Sequence, residues 1–492
     1  MSVSRTIEIE RKYAVPDGVA LPALADLAEV AAVDEQPVAH LDAVYVDTAA
    51  RTLLAARIAV RRRTGGHDAG WHVKLPASGG RTELHAPIDA DDPEALPAGL
   101  ARALATRLRG RPLEPIALIR TERHGVVVAG DGGARVEVVD DRVTATDLAA
   151  GVLRAWREWE AELVGDPQPS ADLLDVLHDA LCAAGAQPSA SPAKLAQALG
   201  LVGARTESPA PSTAGAVLAT RIAAHAEDLH RGVQALVLDG DPDGETVHAL
   251  RKTLRQVRSL LALRPVAGPA GEVLRRRLGA LGRRLGEVRD PRVAAAVAEG
   301  LLDELPAHTP GLAAARSLLV EEPLAAQPAA VDDLVEHLCS AAVLEVVAAL
   351  EGFAADGPRA GRAPRRLVDL GERAVRRARR RARDGIGGDL EDLHRARKAA
   401  KRARFVVEEL VAADLVPASS RLARSARRDE RTQDVLGEHR DLALVLDGLP
   451  AAAERLAADG GNAFALGRAA ERGRQHLALL HLRAERAVRR LR

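Results

Sequence analysis

His248-Ala-Leu-Arg251-Lys252-Thr-Leu-Arg255-Gln-Val-Arg258 returns later in the chain as His394-Arg-Ala-Arg397-Lys398-Ala-Ala-Lys401-Arg-Ala-Arg404. At about 100° per residue, His248, Arg251, Lys252, Arg255 and Arg258 share one arc of a helix, while Leu250, Leu254, Val257 and Leu261 take the opposite side. The second copy keeps both faces, with His394, Arg397, Lys398, Lys401 and Arg404 in front and Ala396, Ala400, Ala403 and Val407 behind; only Phe405 strays to the basic side. Solvated helix faces mix signs to gain i,i+4 pairs, yet neither His248–Ser259 nor His394–Phe405 contains an acid. Like charge concentrated on a packed helix costs stability until a counter-anion arrives, so duplication weighs against a plain wet face and toward a polyanion. A second block follows each copy, Leu285-Gly-Glu-Val-Arg289-Asp290 and Leu436-Gly-Glu-His-Arg440-Asp441. The pattern predicts a duplicated helical unit forming a pseudo-symmetric bundle whose basic helices face each other.

These paired blocks resemble the CHAD domain, the conserved histidine α-helical domain, over roughly residues 212–492. The resemblance implies inorganic polyphosphate as the ligand, held between two helical bundles. Its contacts would be His248, Arg251, Lys252, Arg255, Arg258 and Arg289 from the first repeat, and His394, Arg397, Lys398, Lys401, Arg404 and Arg440 from the second. The residues alone stop at "polyanion" and leave His248 and His394 open between ligand contact and packing group. Metal ligation by these histidines is disfavoured, since no partner His or acid lies one turn away; His225 and His439 read as structural.

The net charge of zero conceals two different objects. Residues 1–211 carry 22 Lys+Arg against 30 Asp+Glu, net −8, and residues 212–492 carry 47 against 39, net +8. Aromatic residues are 2% of the chain, too few for the stacking platforms that single-stranded nucleic acid requires, so nucleic acid is disfavoured as a partner and a ligand of phosphate without bases is favoured. Cys182 and Cys339 stand alone, as in a reducing compartment without disulfides or thiolate metal sites. An N-terminus without an apolar signal region, and no long uncharged apolar run, lead to the expectation of a cytoplasmic protein with no membrane partner. The C-terminal ligand adds the expectation of association with polyphosphate granules.

The N-terminal segment alternates: Ile7, Ile9 and Tyr13 on one side of a strand, Glu8, Glu10 and Lys12 on the other. Charges ordinarily face water, but a closed barrel with a polar lumen reverses this. The alternation recurs in Arg61-Arg-Arg63, in Trp71-His-Val-Lys74, in Ile119-Arg120-Thr-Glu-Arg123, in Arg135-Val-Glu137-Val-Val-Asp140, and in Glu158-Trp-Glu160-Ala-Glu162. Paired carboxylates hold Mg²⁺ or Mn²⁺ through hard oxygens, and arginines and lysines hold phosphate oxygens. Together they describe a phosphate and metal site lined by strands. Gly130-Asp-Gly-Gly133 lacks the Lys-Ser/Thr of a P-loop and reads as a hairpin turn.

Over roughly residues 3–203 the chain is similar to the CYTH family, the triphosphate tunnel metalloenzymes. The likeness rests on Glu8-Ile-Glu10-Arg-Lys12 near the N-terminus, then Tyr45-Val-Asp47-Thr48, the Arg61–Arg63 strand, Lys74, Asp140, Glu158-x-Glu160-x-Glu162 and Ser191-Pro-Ala-Lys194, in family order. It implies a divalent metal on Glu8, Glu10, Glu158 and Glu160, with Asp140 a further ligand candidate, though Arg142 stands where the family commonly has glycine. It implies Lys12, Arg61, Arg63, Lys74 and Lys194 as the triphosphate grip, with Arg120 and Arg123 as candidates from the next basic strand, and Glu8, Glu10 and Lys12 as catalytic.

The expected architecture is α+β: an antiparallel β-barrel tunnel over residues 1–203, a linker at 204–215, and an all-α domain at 216–492 with repeats at about 216–356 and 365–492. The expected activity is a metal-dependent inorganic triphosphatase or short-chain polyphosphate hydrolase whose helical half binds polyphosphate. The alternatives are a non-catalytic polyphosphate binder, and a tunnel acting on an organic triphosphate in the manner of a thiamine triphosphatase or adenylate cyclase.

Overall fold

Strand after strand in the N-terminal part carries its charges on every second residue, and one antiparallel sheet results. The computed structural model describes residues 3–77, 80–130, 133–165, 171–191, 193–201, 211–357, 361–384 and 390–489. Its contacts divide the chain into Met1–Ser208 and Pro209–Arg492. The expected linker lies mostly outside the described residues.

The first unit contains β1 (Ser4–Glu8), β2 (Glu10–Ala14), β3 (Val30–Glu35), β4 (Ala39–Asp47), β5 (Ala59–Thr64), β6 (Gly70–Ala77), β7 (Gly80–Ala86), β8 (Glu114–Gly130), β9 (Arg135–Asp147), β10 (Val152–Val164) and β11 (Gln187–Pro188). Its helices are α1 (Thr52–Ala55), α2 (Ala98–Ala103), α3 (Ala105–Leu108), α4 (Ala171–Ala183) and α5 (Lys194–Ala198). The strand order is β1-β7-β6-β5-β4-β8-β9-β10-β2-β11, with β3 on β8. The expected closed barrel is corrected here: the hydrogen-bonded sheet is an open path. Its near-terminal strands, β1 and β2, are two halves of one N-terminal segment separated by Ile9; β1 pairs with β7 and β2 with β10 and β11. The covalent chain, and the Leu163 N–H donating to the Ile9 carbonyl at 3.0 Å, join what the ladder leaves open.

One face of this sheet is apolar. Tyr13, Val128, Val136, Val138 and Trp159 bury against Leu173, Leu174, Leu177 and Leu181 of α4. Because side chains alternate along a strand, burying Trp159 and Ala161 under α4 sends Glu158, Glu160 and Glu162 to the other side. The charged residues are therefore inside a cavity, and Ile7, on the strand's opposite face, is 61% exposed.

The second unit is helical: α6 (Ala214–Asp239), α7 (Glu245–Leu261), α8 (Arg264–Asp303), α9 (Leu312–Arg316), α10 (Glu322–Ala325), α11 (Gln327–Leu338), α12 (Ala341–Asp356), α13 (Arg365–Asp384), α14 (Leu390–Ala412), α15 (Arg421–Ala458) and α16 (Phe464–Arg489). The α8 span breaks at Gly268, whose φ of 66° belongs to the left-handed region. The two basic stretches are α7 and α14. The apolar face of α7 (Val247, Leu250, Leu254, Val257, Leu261) lies in a core that also takes Val406 and Leu410 of α14, so each basic helix is anchored from behind. Phe405, expected on the basic side, is only 2% exposed and lies beneath Lys401 and Arg404, whose charges stand 5.9 and 5.1 Å from its ring. No single helix among the described residues is long and apolar enough to cross a membrane.

A buried carboxylate ties the repeats together. Glu409 of α14 accepts from Arg221 at 2.9 Å and Gln256 at 3.2 Å, and meets His225 Nε2 at 2.9 Å. Burial opposes charge on His225, but hydrogen bonds to Asp228 and Glu409 win and hold its pKa at about 9. Because this lies above the ordinary imidazole value of 6.5, the stabilisation is complete below pH 6.5 and fades as pH rises through about 9. Chemical unfolding across that window should therefore show wild type losing on the order of 1–3 kcal/mol more than His225→Gln; parallel curves would show that His225 does not titrate with folding.

Candidate functional site

Strands from across the sheet and one helix aim charge into a cavity of about 580 Å³. The N-terminal strand brings Glu8 and Lys12, β5 brings Arg61 and Arg63, β6 and β7 bring Lys74, Arg81 and Glu83, and β8 with β10 brings Arg123, Glu160 and Glu162; Lys194 enters from the start of α5. At the centre, the Lys194 ammonium lies 3.0 Å from Asp141, 2.6 Å from Glu158 and 2.7 Å from Glu160. Arg123 grips Asp141 with two hydrogen bonds of 2.8 and 2.7 Å and reaches Glu160 at 3.1 Å. Lys12 pairs with Glu160 and, at 2.9 Å, with Glu10. Lys74 pairs with Glu8, and Arg63 with Asp68.

The electrostatics follow. Burial disfavours charge on Lys194, but Glu160, Asp141 and Glu158 outweigh it and hold the ammonium well above the ordinary lysine range. Burial likewise lifts Glu160, but Lys12, Lys194 and Arg123 drive it well below the usual carboxylate range. Glu162 escapes this compensation. Burial, then the negative Glu8, push it up to about 8. Arg63 falls to about 9 through burial and the neighbouring Arg61 and Arg123. The cavity therefore holds a carboxyl short of cations, and, beside it, a guanidinium crowded by two other arginines with Asp68 as its ion-pair partner, an imbalance that a bound cation and a bound polyanion would relieve together.

In the helical unit, α7 and α14 meet over a cavity of about 360 Å³ lined by Arg255, Arg258, Arg275, Arg397, Lys398, Lys401, Arg402 and Arg440 among others. Burial, then Arg255, Arg397 and Arg404, lower Lys401 to about 7, and burial with Arg251 and Arg289 brings Arg255 to about 10. The second sequence block explains itself here. A Cβ at Gly286 would crowd Arg251 Nη1 at 3.2 Å, so this glycine makes room for an arginine of the basic block; one at Gly437 would stand 3.5 Å from Arg397 Nη2, an ordinary contact in the equivalent place. Arg251 also pairs with Asp290 at 2.7 Å, and Arg289 donates to His248 Nδ1 at 3.2 Å.

Family models match both parts: a CYTH domain over residues 6–163 and a CHAD domain over residues 220–450. The chain carries a CYTH domain followed by a CHAD domain. Uncharacterized proteins from two strains of Mycobacterium tuberculosis are each 38% identical over 274 residues, 52% of this chain. The chain spans about half the length of these curated relatives, 52% of each. Among solved structures, the CHAD domain of the plant Ricinus communis is similar at 23% identity with a TM-score of 0.46, covering 57% of this chain and 94% of that one. A presumed adenylyl cyclase from Hippeastrum, with a dominant triphosphatase activity, is similar at 16% identity with a TM-score of 0.26, covering 41% and 99%.

Several expected site residues sit elsewhere. Arg120 is exposed and pairs with Asp42 at 3.1 Å, because only Ile119, Thr121 and Arg123 of β8 turn toward the CYTH cavity. Asp140 faces outward, held by two hydrogen bonds from Arg157 at 2.8 and 2.6 Å; its neighbour Asp141, fully buried, takes the inward place. The expected metal ligands also divide. Oxygens of Glu8, Glu10 and Glu162 lie within 4.8 Å of one another, and Asp141, Glu158 and Glu160 form a second such set. Lys194 occupies the second. The first fits a divalent ion better, since Glu8 Oε2 is buried without a hydrogen-bond partner and Glu162 has no ion-pair partner among the described residues. In the CHAD domain, Lys252 is exposed and lines neither cationic cavity, Arg404 is occupied by Glu408 at 3.1 Å and Glu430 at 2.8 Å, and the side chain of His394 lies outside the described residues.

The reading from sequence passed over Asp141, Glu83 and Tyr45. Glu83 pairs with His72 at 3.0 Å and Arg61 at 3.5 Å, and the Tyr45 hydroxyl accepts from Arg61 at 3.3 Å. Inward parity with Arg61 across β4 and β5 could have found Tyr45, which pairs with Arg61 in register. Asp47, part of the same motif, is structural: it accepts the backbone N–H groups of Leu53 and Leu54 at 2.9 Å and caps α1. Titration with Mn²⁺, followed by its paramagnetic resonance signal, should show affinity reduced about tenfold or more in Glu8→Gln and Glu162→Gln and unchanged in Asp140→Asn; equal effects would put the ion elsewhere.

Proposed function

We propose that this protein is a metal-dependent inorganic triphosphatase or short-chain polyphosphate hydrolase whose CHAD domain retains long polyphosphate. The observation that carries this is the convergence of Lys12, Arg61, Arg63, Lys74, Arg123 and Lys194 with the acid Glu162, which has no ion-pair partner among the described residues, in one cavity. Guanidinium forks bind phosphoryl oxygens bidentately, and Arg61 and Arg63, on one face of β5, are spaced to grip successive groups of a chain. A divalent ion on Glu8, Glu10 and Glu162 would neutralise phosphate charge and orient a water for attack on phosphorus. The protein's own part is to exclude bulk water, hold the chain extended and place positive charge around the transferring phosphoryl group. Lys194 and Lys12 are locked by carboxylates and enter as positioned cations, free of side-chain reorganisation.

An organic triphosphate is the second reading, favoured by Val38, Leu41 and Ile119 on the cavity wall, an apolar surface that inorganic triphosphate does not use. In the CHAD domain, the surplus cations Arg255, Arg397, Lys398 and Lys401 suit a polyphosphate chain, which would bring the protein to polyphosphate in the cytoplasm, granules included.

Phosphate release from tripolyphosphate with Mg²⁺ or Mn²⁺ should fall by about two orders of magnitude or more in Glu10→Gln. Release from thiamine triphosphate or ATP alone would select the organic reading, and no release from any of the three would leave a binding protein. The double change Arg255→Ala/Lys401→Ala, in the intact chain, should lower retention on immobilised long-chain polyphosphate while sparing tripolyphosphate turnover.

A further inference from the structure

The two CHAD repeats superpose by sequence register, 248 on 394 in the basic helix and 286 on 437 in the helix beneath it. The contacts obey this register: Gly286 faces Arg251, and Gly437 faces Arg397. Two turns earlier the symmetry fails. In repeat one, Arg258 lies over Gly279 and Gly282; a Cβ at 279 would stand 3.3 Å from its Nη2 and one at 282 would stand 3.9 Å from its Nη1. Among the described residues Arg258 has no acidic partner, and its Nε is buried without a hydrogen bond. In repeat two the equivalent arginine is Arg404, and the position equivalent to Gly279 is Glu430, which pairs with it at 2.8 Å. Gln433 replaces Gly282, and Asp434 replaces Arg283.

The result is one groove open and one filled. Between α7 and α8 lies a cavity of about 520 Å³ lined by Arg251, Arg255, Arg258, Arg283 and Lys398 over the three glycines 279, 282 and 286; Glu287 and Asp290 line it at the Gly286 end, where Asp290 pairs with Arg251 at 2.7 Å and leaves Arg258 without an acid among the described residues. Arg255, Arg258 and Lys398 also line the cavity between α7 and α14, so the two adjoin across these side chains. The counterpart between α14 and α15 holds the Glu430 carboxylate where an anion would meet Arg404.

We propose that the glycine-floored groove between α7 and α8 is a phosphoryl subsite for an extended inorganic polyanion, and that Glu430 is a built-in carboxylate that closes its twin in repeat two. Polyphosphate therefore leaves the central cavity toward repeat one alone. This rests on the polyphosphate reading of the CHAD domain. Small floor residues let a chain of phosphates lie against α8 within reach of Arg258 and Arg283, whereas a chain entering the second groove would have to expel a carboxylate already paired with its arginine.

The test measures retention of the intact protein on long-chain polyphosphate against salt, with circular dichroism confirming each fold. Arg258→Ala should weaken binding about tenfold, and Gly279→Glu should do the same by supplying repeat one with the acid of repeat two. Arg404→Ala should stay within about twofold, because its charge is already matched. Glu430→Gly, with Glu430→Gln as the smaller change, should strengthen binding and steepen the log–log salt slope by roughly 0.7 for each further phosphate neutralised, if single-stranded nucleic acid is a fair guide. Equal losses in Arg258→Ala and Arg404→Ala, with no tighter binding from either Glu430 change, would overturn the asymmetry while leaving polyphosphate binding intact. Failure of wild type to bind polyphosphate would overturn the underlying reading, and this one with it.

Discussion

Lys194, surrounded by Asp141, Glu158 and Glu160 at 2.6 to 3.0 Å, is the constraint on which the CYTH cavity depends. Taking three carboxylates and a lysine out of water is costly for each ion alone and becomes tolerable only when all are present in good geometry. The arrangement couples distant parts of the chain: Asp141 comes from β9, Glu158 and Glu160 from β10, and Lys194 from α5, past the whole sheet. With those charges matched, the rest of the cavity is free to be mismatched. Glu162 and Arg63 are displaced in opposite senses from their ordinary pKa values, one by burial beside the negative Glu8 and the other by burial beside Arg61 and Arg123.

Much of this was legible in the residues. Alternation of Ile7, Ile9 and Tyr13 with Glu8, Glu10 and Lys12, and in Glu158-x-Glu160-x-Glu162, already separated a charged face from an apolar one, and the burial of Tyr13 and Trp159 under α4 agrees with it. Parity was the weak point. Asp140 and Asp141 are adjacent, so alternation alone permits either to face inward, and the choice is made by the register of β9 on β10, which pairs Asp141 with Glu158. Arg120 and Arg123 differ in parity, and β8's pairing with β4 decides between them. The open path of the sheet also lay outside the sequence pattern, since the break at Ile9 is a property of how two sheet ends share one short segment.

In the CHAD domain, duplication carried more information than composition. The basic arcs and their apolar backs lie where a 3.6-residue period puts them, and the glycine of the first Leu-Gly-Glu block acquires a physical reason: it leaves space for the Arg251 guanidinium, as Gly437 lies against that of Arg397. What the repeated motif concealed was its own inequality. Arg404 matches the pattern of Arg258 in sequence yet is neutralised by Glu408 and Glu430, residues outside the motif. Lys252 shares the helical arc but not the cavity, because an arc of about 120° is wider than the seam between two helices.

Glu409 has a consequence for how the helical domain comes apart. It belongs to the second repeat by sequence, but its partners Arg221, His225 and Gln256 belong to the first. Val406 and Leu410, beside it, sit in the first repeat's core, while Leu301 and Leu302 at the far end of α8 join a core built from α15 and α16. Neither repeat is thus a self-sufficient foldon, and amide exchange should not parcel the domain along the line of its duplication.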